Sequence, residues 1–552
     1  MSNRQLILLF FFTIIVYLLG AFVDVMDVDS GQYASMSREM LASGNWIHFT
    51  DRGAPYLDKP PFIFWAGGFS YLILGISNFS FKLPAILFSI AGIYATYRFS
   101  KIYFDEQTGK IAALMIATSQ AYFHFNNDVR TDVYLTNAVM LSMWLLAEYL
   151  KYSNWKYLVL AFVFVGIALL AKGPLGLMLP ALAFGTTWLL KSQWSNIFRW
   201  QWLLGIGISL LVISPMLWGL YTQYDLHPDL EVNEKTNVSG IRFFFWEQSF
   251  GRLTGENVWK NDTGPFFFVH NLLWSFLPWS LLLLFALPYA FSNLLQQWRN
   301  KQSLHEGLLI CLAGSMFTFI ALSASAYKLP HYIYVIFPLL AIICAWWVLS
   351  AKLSRLQWKL IDCFFWLFLL VAVGFSLLIV FYIFSNDRWW LIFPAIILFV
   401  VAVIIFLKQQ GLLLKIILPL SLVIIGFNIV MTLNFYPALL EYQAPGRIAR
   451  FIVHEGINVN KVYNYNVGGR SLDFYTRSII ADFQNIDQSA LGQEYFLHCD
   501  DAGLNELKKA GYKAEVLCAF DDKAVTMISW PFLNPSTRKQ NCGKRYLISV
   551  KK

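Results

Sequence analysis

The most regular feature of this chain is a succession of long apolar runs separated by short polar turns. The first, RQLILLFFFTIIVYLLGAFV, follows a short polar start and ends near Val23. About 20 apolar residues suffice for a helix to cross the hydrocarbon core of a bilayer. A cleaved signal peptide has a shorter apolar core and an Ala-x-Ala-like end, so this run is predicted to span. Further runs lie near 61–76, 81–100, 111–126, 131–150, 157–171, 174–190, 201–221, 266–292, 305–324, 329–350, 360–384, 389–407 and 411–435.

The positive-inside rule tests which of them cross. Counting 61–76 as a span would put Arg98, Lys101, Lys110 and every later basic turn outside the cell. That run is short, opens with Pro60-Pro61 and is interrupted by Gly67-Gly68, so it is predicted to lie in the interface. The inner turns then hold Arg98/Lys101/Lys110, Lys151/Lys156, Lys191/Arg199, Arg299/Lys301, Lys352/Arg355/Lys359 and Lys408. The expectation is a polytopic α-helical membrane protein of about thirteen spanning helices, N-terminus inside and C-terminus outside. Two long outer loops, about 24–80 and 222–265, follow, the first carrying juxtamembrane helices. Beyond about residue 436 the pattern becomes that of a soluble chain. LNELKKAGY is helix-like there, and KVYNY, AEVLC and RYLISV are strand-like. Residues 1–436 are therefore read as a membrane domain and 437–552 as an outer α/β domain.

Composition narrows the function classes. Hydrophobic residues make up 57% of the 552 and charged residues 14%, against roughly 45–50% and about 25% in soluble proteins. That apolar surface is too large for a water-soluble globule, which excludes soluble enzymes, disordered scaffolds and nucleic-acid modules. The net charge of +9 is scattered in small groups between apolar runs, as an orientation signal is, instead of forming a basic face. Of the six Cys, Cys311, Cys344 and Cys363 fall in spans. Cys499, Cys518 and Cys542 fall in the outer tail, where at most one intradomain disulfide can form.

Charged residues near membrane depth are costly and therefore informative, and here they gather on the outer side. Asp29 opens a helical stretch, DSGQYASMSREM, in which Tyr33 lies one turn on and on the same face. Lys59 follows Tyr56 and Asp58 and precedes two prolines that hold it at the membrane surface, a placement suited to binding phosphate. Asp128, Arg130 and Asp132 crowd the turn between the third and fourth spans. Lys172, Arg252 and Lys328 lie at other outer turns. His331 is read as an interfacial packing residue. Carboxylates beside several cations suit a site that handles a phosphate-bearing lipid and activates a hydroxyl.

The ordered motifs DVDSGQYASMSREMLASGNW, YLDKPPFIFW, VRTDVYLT, AKGP, EQSFGR, FLPW and KLPHYIYVIFPLLA closely resemble the GT-C glycosyltransferases. The nearest branch is the aminoarabinose (lipid A) transferase and protein O-mannosyltransferase-like group. The resemblance covers roughly residues 1–350. It implies a polyprenyl-phosphate-linked sugar as donor, a lipid or glycan acceptor, a bacterial inner membrane and a periplasmic site. By position it implies that Asp29 is the general base or acceptor-positioning group, with Asp132 assisting. Tyr33, Tyr56, Lys59 and Arg252 become donor-side residues, with Lys172 and Lys328 as further phosphate contacts. Ser30 and Gln32 depart from the acidic and basic residues usual there, and Glu247-Gln248 replaces a common His. The family's Glu before the motif Lys is Asp58 here, and in the aminoarabinose transferases that Glu and the His can hold a metal, so these departures imply no required metal. A protein O-glycosyltransferase of the same fold is the leading alternative. A transporter is disfavoured, because the charges hug one edge and no halves repeat.

Overall fold

The computed structural model describes residues 1–232, 234–248, 251, 263–385, 389–483 and 495–551. α1 (Asn3–Ala21) begins at Ser2, whose side chain accepts from the backbone of Gln5 while the Gln5 side chain accepts from Ser2 N–H, a reciprocal cap that satisfies two otherwise orphaned donors. The chain then forms α2 (Asp29–Ser43), a two-stranded hairpin of β1 (Thr50–Asp51) and β2 (Ala54–Pro55), and α3 (Phe62–Leu74). It continues through α4 (Asn78–Tyr103), α5 (Glu106–Ala117), α6 (Gln120–Asn127), α7 (Thr131–Tyr152), α8 (Trp155–Lys172) and α9 (Leu175–Leu190).

The protein is a multi-pass membrane protein. Among the described residues ten helices are long and apolar enough to cross a bilayer, or eleven with the bent pair Phe267–Ser275 and Ser280–Arg299 counted as one span. That pair turns by 118° at Pro278, which cannot continue the hydrogen-bond ladder. The expected thirteen is larger than this count of long apolar helices among the described residues, which leaves out shorter and broken ones. The run at 111–126 breaks at Thr118–Ser119 into α5 and α6, of 12 and 8 residues, and α9 has only 16. The run at 61–76 is the 13-residue α3, about 20 Å long, too short to span on its own.

The bundle closes by close approach. A Cβ on Gly92 of α4 would collide with the Asn137 side chain of α7, and Asn137 Oδ1 accepts from Tyr122 Oη at 2.7 Å. Small residues let membrane helices approach and buried amides then find partners across the contact. Lys82, fully buried in α4, donates to Gly20 O and Val23 O at 3.1 and 2.8 Å, so a lysine from one helix caps the carbonyl end of another.

After the helical stretch Leu413–Leu440, the chain builds a four-stranded sheet in the order β3 (Val462–Asn464), β4 (Tyr495–Asp500), β6 (Gly543–Lys551), β5 (Lys513–Asp522), with β3 parallel to β4 and the other pairs antiparallel. Adjacent residues of β6 face opposite sides, as strand geometry requires. Leu547 packs with Ile448 and Ile452, and Ile548 with Leu504 and Leu507. Helices Ala444–His454 and Asp501–Lys509 thus cover opposite faces. All six cysteines are free.

This C-terminal unit is bolted to the loop between α1 and α3. Asp27 accepts from the backbone N–H of Ser471 at 3.0 Å and from its hydroxyl, and a Cβ on Gly31 would collide with the same carboxylate. Gln443 donates to Val25 O at 3.0 Å and accepts from Asp27 N at 2.8 Å. Arg450 pairs with Asp24 and Arg52 with Asp473. Burial raises the Asp27 carboxyl to about 6; the Ser471 hydrogen bonds pull it down, and Asp522 and Asp473 push it up. A carboxyl whose folded pKa exceeds its unfolded value contributes stability that is complete below the unfolded value and lost as pH rises through the folded one. Asp27→Asn is therefore expected to flatten the gain in thermal stability between about pH 6 and pH 4. Unfolding midpoints of both proteins across that range check it; parallel curves contradict it.

Candidate functional site

A cavity of about 960 Å³ opens where the N-terminus of α2, the segment after β2, the N-terminus of α7 and the α8–α9 turn converge. Asp29 lies in the first turn of α2, where the helix dipole favours an anion. It makes no cap; its Oδ2 lies 2.6 Å from Arg130 Nη1, and Arg130 Nε lies 2.8 Å from Asp128 Oδ2. Burial alone would lower the Arg130 pKa, but Asp128 and Asp29 raise it overall, so a guanidinium stands clamped between two carboxylates. The Asp29 side chain remains 38% exposed, open to a ligand.

A second cluster lies two residues along the chain. Asp132, 3% exposed, is ion-paired to Lys172 at the end of α8 and lies 3.5 Å from His331 Nε2. The Lys172 ammonium sits 3.6 Å from the ring centre of Tyr332, a favourable cation–π position. Opposite, Lys59 pairs with Asp58 at 2.7 Å and is 21% exposed. The Asp58 backbone carbonyl accepts from the Gln248 side chain. Tyr33 and Tyr56 flank Phe64 edge-on, each 5.9 Å away. Burial raises both phenols well above their ordinary value, with Tyr56, Asp29 and Asp58 adding at Tyr33 and Asp58, Asp51 and Asp29 adding at Tyr56, so both stay protonated and can donate.

Six sequence-predicted residues therefore line one cavity: Asp29, Tyr33, Tyr56, Lys59, Asp132 and Lys172. Lys328 does not join them; it is buried and its ammonium donates to Thr263 O at 3.2 Å, because the turn before Leu329 aims it at the preceding loop. Arg252 lies outside the described residues. His331, read as a packing residue, lines the cavity beside Asp132. Arg130 and Arg470 were also not singled out. Arg130 carried a signal, lying between acids at a membrane edge, whereas Arg470 is 435 residues from Ser35, its α2 hydrogen-bond partner, and carried none.

Among the described residues no three His, Cys, Asp or Glu side chains converge into a metal-binding group. The Glu position of the metal site that the resemblance would offer carries Asp58, ion-paired to Lys59, and the His position carries Glu247-Gln248, so this donor set is not the Glu and His that would hold the metal. What the cavity can do is hold an anion: Lys59, Arg130, Lys172 and Arg470 all line it, each tethered by a carboxylate. Such fixed cations stabilise charge developing on a leaving group without reorganising.

Residues 58–218 match the dolichyl-phosphate-mannose-protein mannosyltransferase family. Among curated proteins, the undecaprenyl phosphate-alpha-4-amino-4-deoxy-L-arabinose arabinosyl transferase of Shewanella sediminis is 26% identical over 470 residues, 81% of this chain and 79% of that one. The enzyme of the same name from Edwardsiella ictaluri is 29% identical over 330 residues, 58% of this chain and 55% of its own. The crystal structure of ArnT from Cupriavidus metallidurans bound to undecaprenyl phosphate superposes over 100% of this chain and 98% of that chain, with a TM-score of 0.73 and 17% sequence identity. Its apo form gives 0.72. The fold is thus shared along the whole chain, membrane helices and C-terminal sheet alike.

Proposed function

We propose that this chain, a membrane glycosyltransferase of the GT-C fold similar to the aminoarabinose transferases, moves a sugar from a polyprenyl (undecaprenyl) phosphate donor to lipid A or another envelope glycan. The observation that carries the reading is the coincidence of two facts. The chain shares its whole fold with an enzyme crystallised with undecaprenyl phosphate, and its large cavity holds tethered cations and carboxylates where membrane helices meet the first long loop. The reaction is a single inverting displacement. The acceptor oxygen bonds to the anomeric carbon, the bond from that carbon to the phosphate oxygen breaks, and its electron pair leaves with the polyprenyl phosphate.

Lys59 and Lys172 stabilise the charge gathering on that phosphate. Asp132 holds Lys172 and His331 in place instead of acting as a base. Asp29, fixed by Arg130 yet exposed, orients the acceptor and takes its proton where the acceptor is a hydroxyl; an acceptor phosphate is already anionic and needs only orientation. Tyr33 and Tyr56 donate hydrogen bonds to the donor. Lipid is bound along the membrane helices of residues 1–436, and residues 437–552 form the outer unit. The basic turns support an inner-membrane orientation with the N-terminus cytoplasmic and the site periplasmic.

The test is mass spectrometry of lipids from bacterial cells carrying the wild-type protein or Asp29→Asn. The expected result is loss of one lipid A modification and accumulation of a polyprenyl-phosphate sugar in the variant. Unchanged lipid A with no accumulating donor overturns the reading. A donor that accumulates while a glycoprotein disappears moves the acceptor to protein.

A further inference from the structure

A cavity of about 310 Å³ lies among the membrane helices and shares no lining residue with the charged cavity described above. α10 (Trp194–Ile197) and α11 (Gln201–Leu220) close it on one side. Its wall is apolar almost throughout, with Val165 of α8, Leu177, Phe184 and Trp188 of α9, and Trp202 and Ile206 of α11. Leu177 and Ile206 are exposed, so the cavity is a groove open to the lipid around the bundle. Along α9 it runs from Leu177 to Leu189, about 18 Å at the helical rise of about 1.5 Å per residue. That is slightly more than the hydrocarbon depth of one leaflet, about 15 Å. A Cβ on Gly185, in the middle of this wall, would meet nothing within 4 Å, so protein does not fill the space beside it.

The far end of this groove is basic. α9 starts at the charged cavity, where Leu175 and Met178 are wall, and its other end meets the turn before α11. There Arg199 Nη2 donates to Asn196 Oδ1 at 2.6 Å, and Asn196 O accepts from Trp202 Nε1 at 2.7 Å. Trp202 stacks on Trp188 with ring centres 5.5 Å apart, so the guanidinium is tied to the groove wall itself. The bond to Asn196 uses one of its five N–H donors. The α7–α8 turn carries Lys151 and Lys156, and Trp155 lies 5.6 Å from Trp200 across the two turns. The nearby carboxylates Glu148 and Glu306 are engaged by Arg98 and Lys191. Arg199, Lys151 and Lys156 form no ion pair among the described residues. Trp194, Phe198 and Trp200 are exposed beside them, as aromatic residues are at the headgroup level of a bilayer.

We propose that this groove binds an anionic diacyl phospholipid from the leaflet opposite the charged cavity, with one acyl chain along α9 and the phosphate on Arg199. Basic pockets between membrane helices hold acidic head groups in this way, and a guanidinium fork matches the geometry of a phosphate. Orienting the helices requires basic turns alone. It requires neither an unfilled groove nor an arginine fastened to its wall. Charge also decides between the two kinds of lipid within reach. On the glycosyl-transfer reading a polyprenyl phosphate keeps its anion in the charged cavity, at the opposite end of α9, so its tail in the groove would leave Arg199 without an anion. A phospholipid of the opposite leaflet places its phosphate where the cation stands, and its binding does not depend on that reading.

The test uses the purified full-length protein, wild type, Arg199→Gln and Gly185→Leu, in detergent with phosphatidylglycerol or phosphatidylcholine of the same acyl chains. Native mass spectrometry measures bound lipid, and the unfolding midpoint without lipid reports on the fold. The wild type is expected to hold phosphatidylglycerol about tenfold more tightly than phosphatidylcholine, the effect of one charge-assisted contact. Arg199→Gln is expected to bring the two lipids within about twofold of each other. Gly185→Leu fills the groove and removes a glycine from a helix interior. It is expected to bind neither lipid while unfolding no earlier than the wild type. Equal binding of the two lipids by the wild type overturns the proposal, as does an unchanged preference in Arg199→Gln. Phosphatidylglycerol that stays bound to Gly185→Leu reduces the attraction to the basic surface and overturns the groove. One-for-one displacement of phosphatidylglycerol by undecaprenyl phosphate gives the groove to a polyprenyl tail and overturns it as well.

Discussion

Replacing Lys172 with Met is expected to lower kcat/KM by about 10²–10³, the usual loss when one preorganised group is removed from a developing charge, and to destabilise the fold as well. The reason for the second effect is Asp132. Its side chain is 3% exposed and its ion-pair partners are Lys172, itself only 12% exposed, and His331. Removing one member of a buried pair leaves the other charge uncompensated, at about 3–5 kcal/mol. The two effects separate in the double variant Lys172→Met with Asp132→Asn. There the buried charge is gone, so the thermal midpoint in detergent recovers most of its loss while transfer stays as low as in Lys172→Met. A double variant that regains activity would show that Lys172 serves only to neutralise Asp132.

Lys59→Met is expected to lose a comparable factor, about 10²–10³ in kcat/KM, with almost no change in stability. Its partner Asp58 is 27% exposed and Lys59 is 21% exposed. An ion pair at that depth contributes about 0–1 kcal/mol, and the prolines that follow hold the backbone without it. Steady-state transfer assays beside unfolding midpoints check the contrast with Lys172. Equal destabilisation by the two substitutions, or full activity in Lys59→Met, contradicts the assignment of Lys59 to the leaving phosphate.

Much of the cavity was legible because its residues advertise themselves locally. A charge at a membrane edge is expensive wherever it stands, so Asp29, Lys59, Asp132 and Lys172 stood out against their apolar flanks. The same rule could not tell Lys172 from Lys328. Both are lysines at an apolar turn, yet one faces Asp132 and the other Thr263 O, and only the direction of each turn separates them. Apolar composition alone does not report the break between α5 and α6 or the shortness of α9, which only the structure shows.

The sequence by itself determined the membrane class, the alternation of apolar runs with basic turns, the change of character near residue 436 and the edge at which the charges collect. These are properties of composition and period, and each residue contributes to them independently of distant ones. Tertiary structure alone decided which charges pair. Arg130 was drawn to Asp29 and Lys172 to Asp132 across 101 and 40 positions. Ser471 of the C-terminal unit reached Asp27, 444 positions away. Arg470 reached Asp51 across 419 positions to line the cavity. Such partnerships arise because a buried charge must find an opposite one within a few ångströms of wherever packing leaves it, and packing is a property of the whole chain.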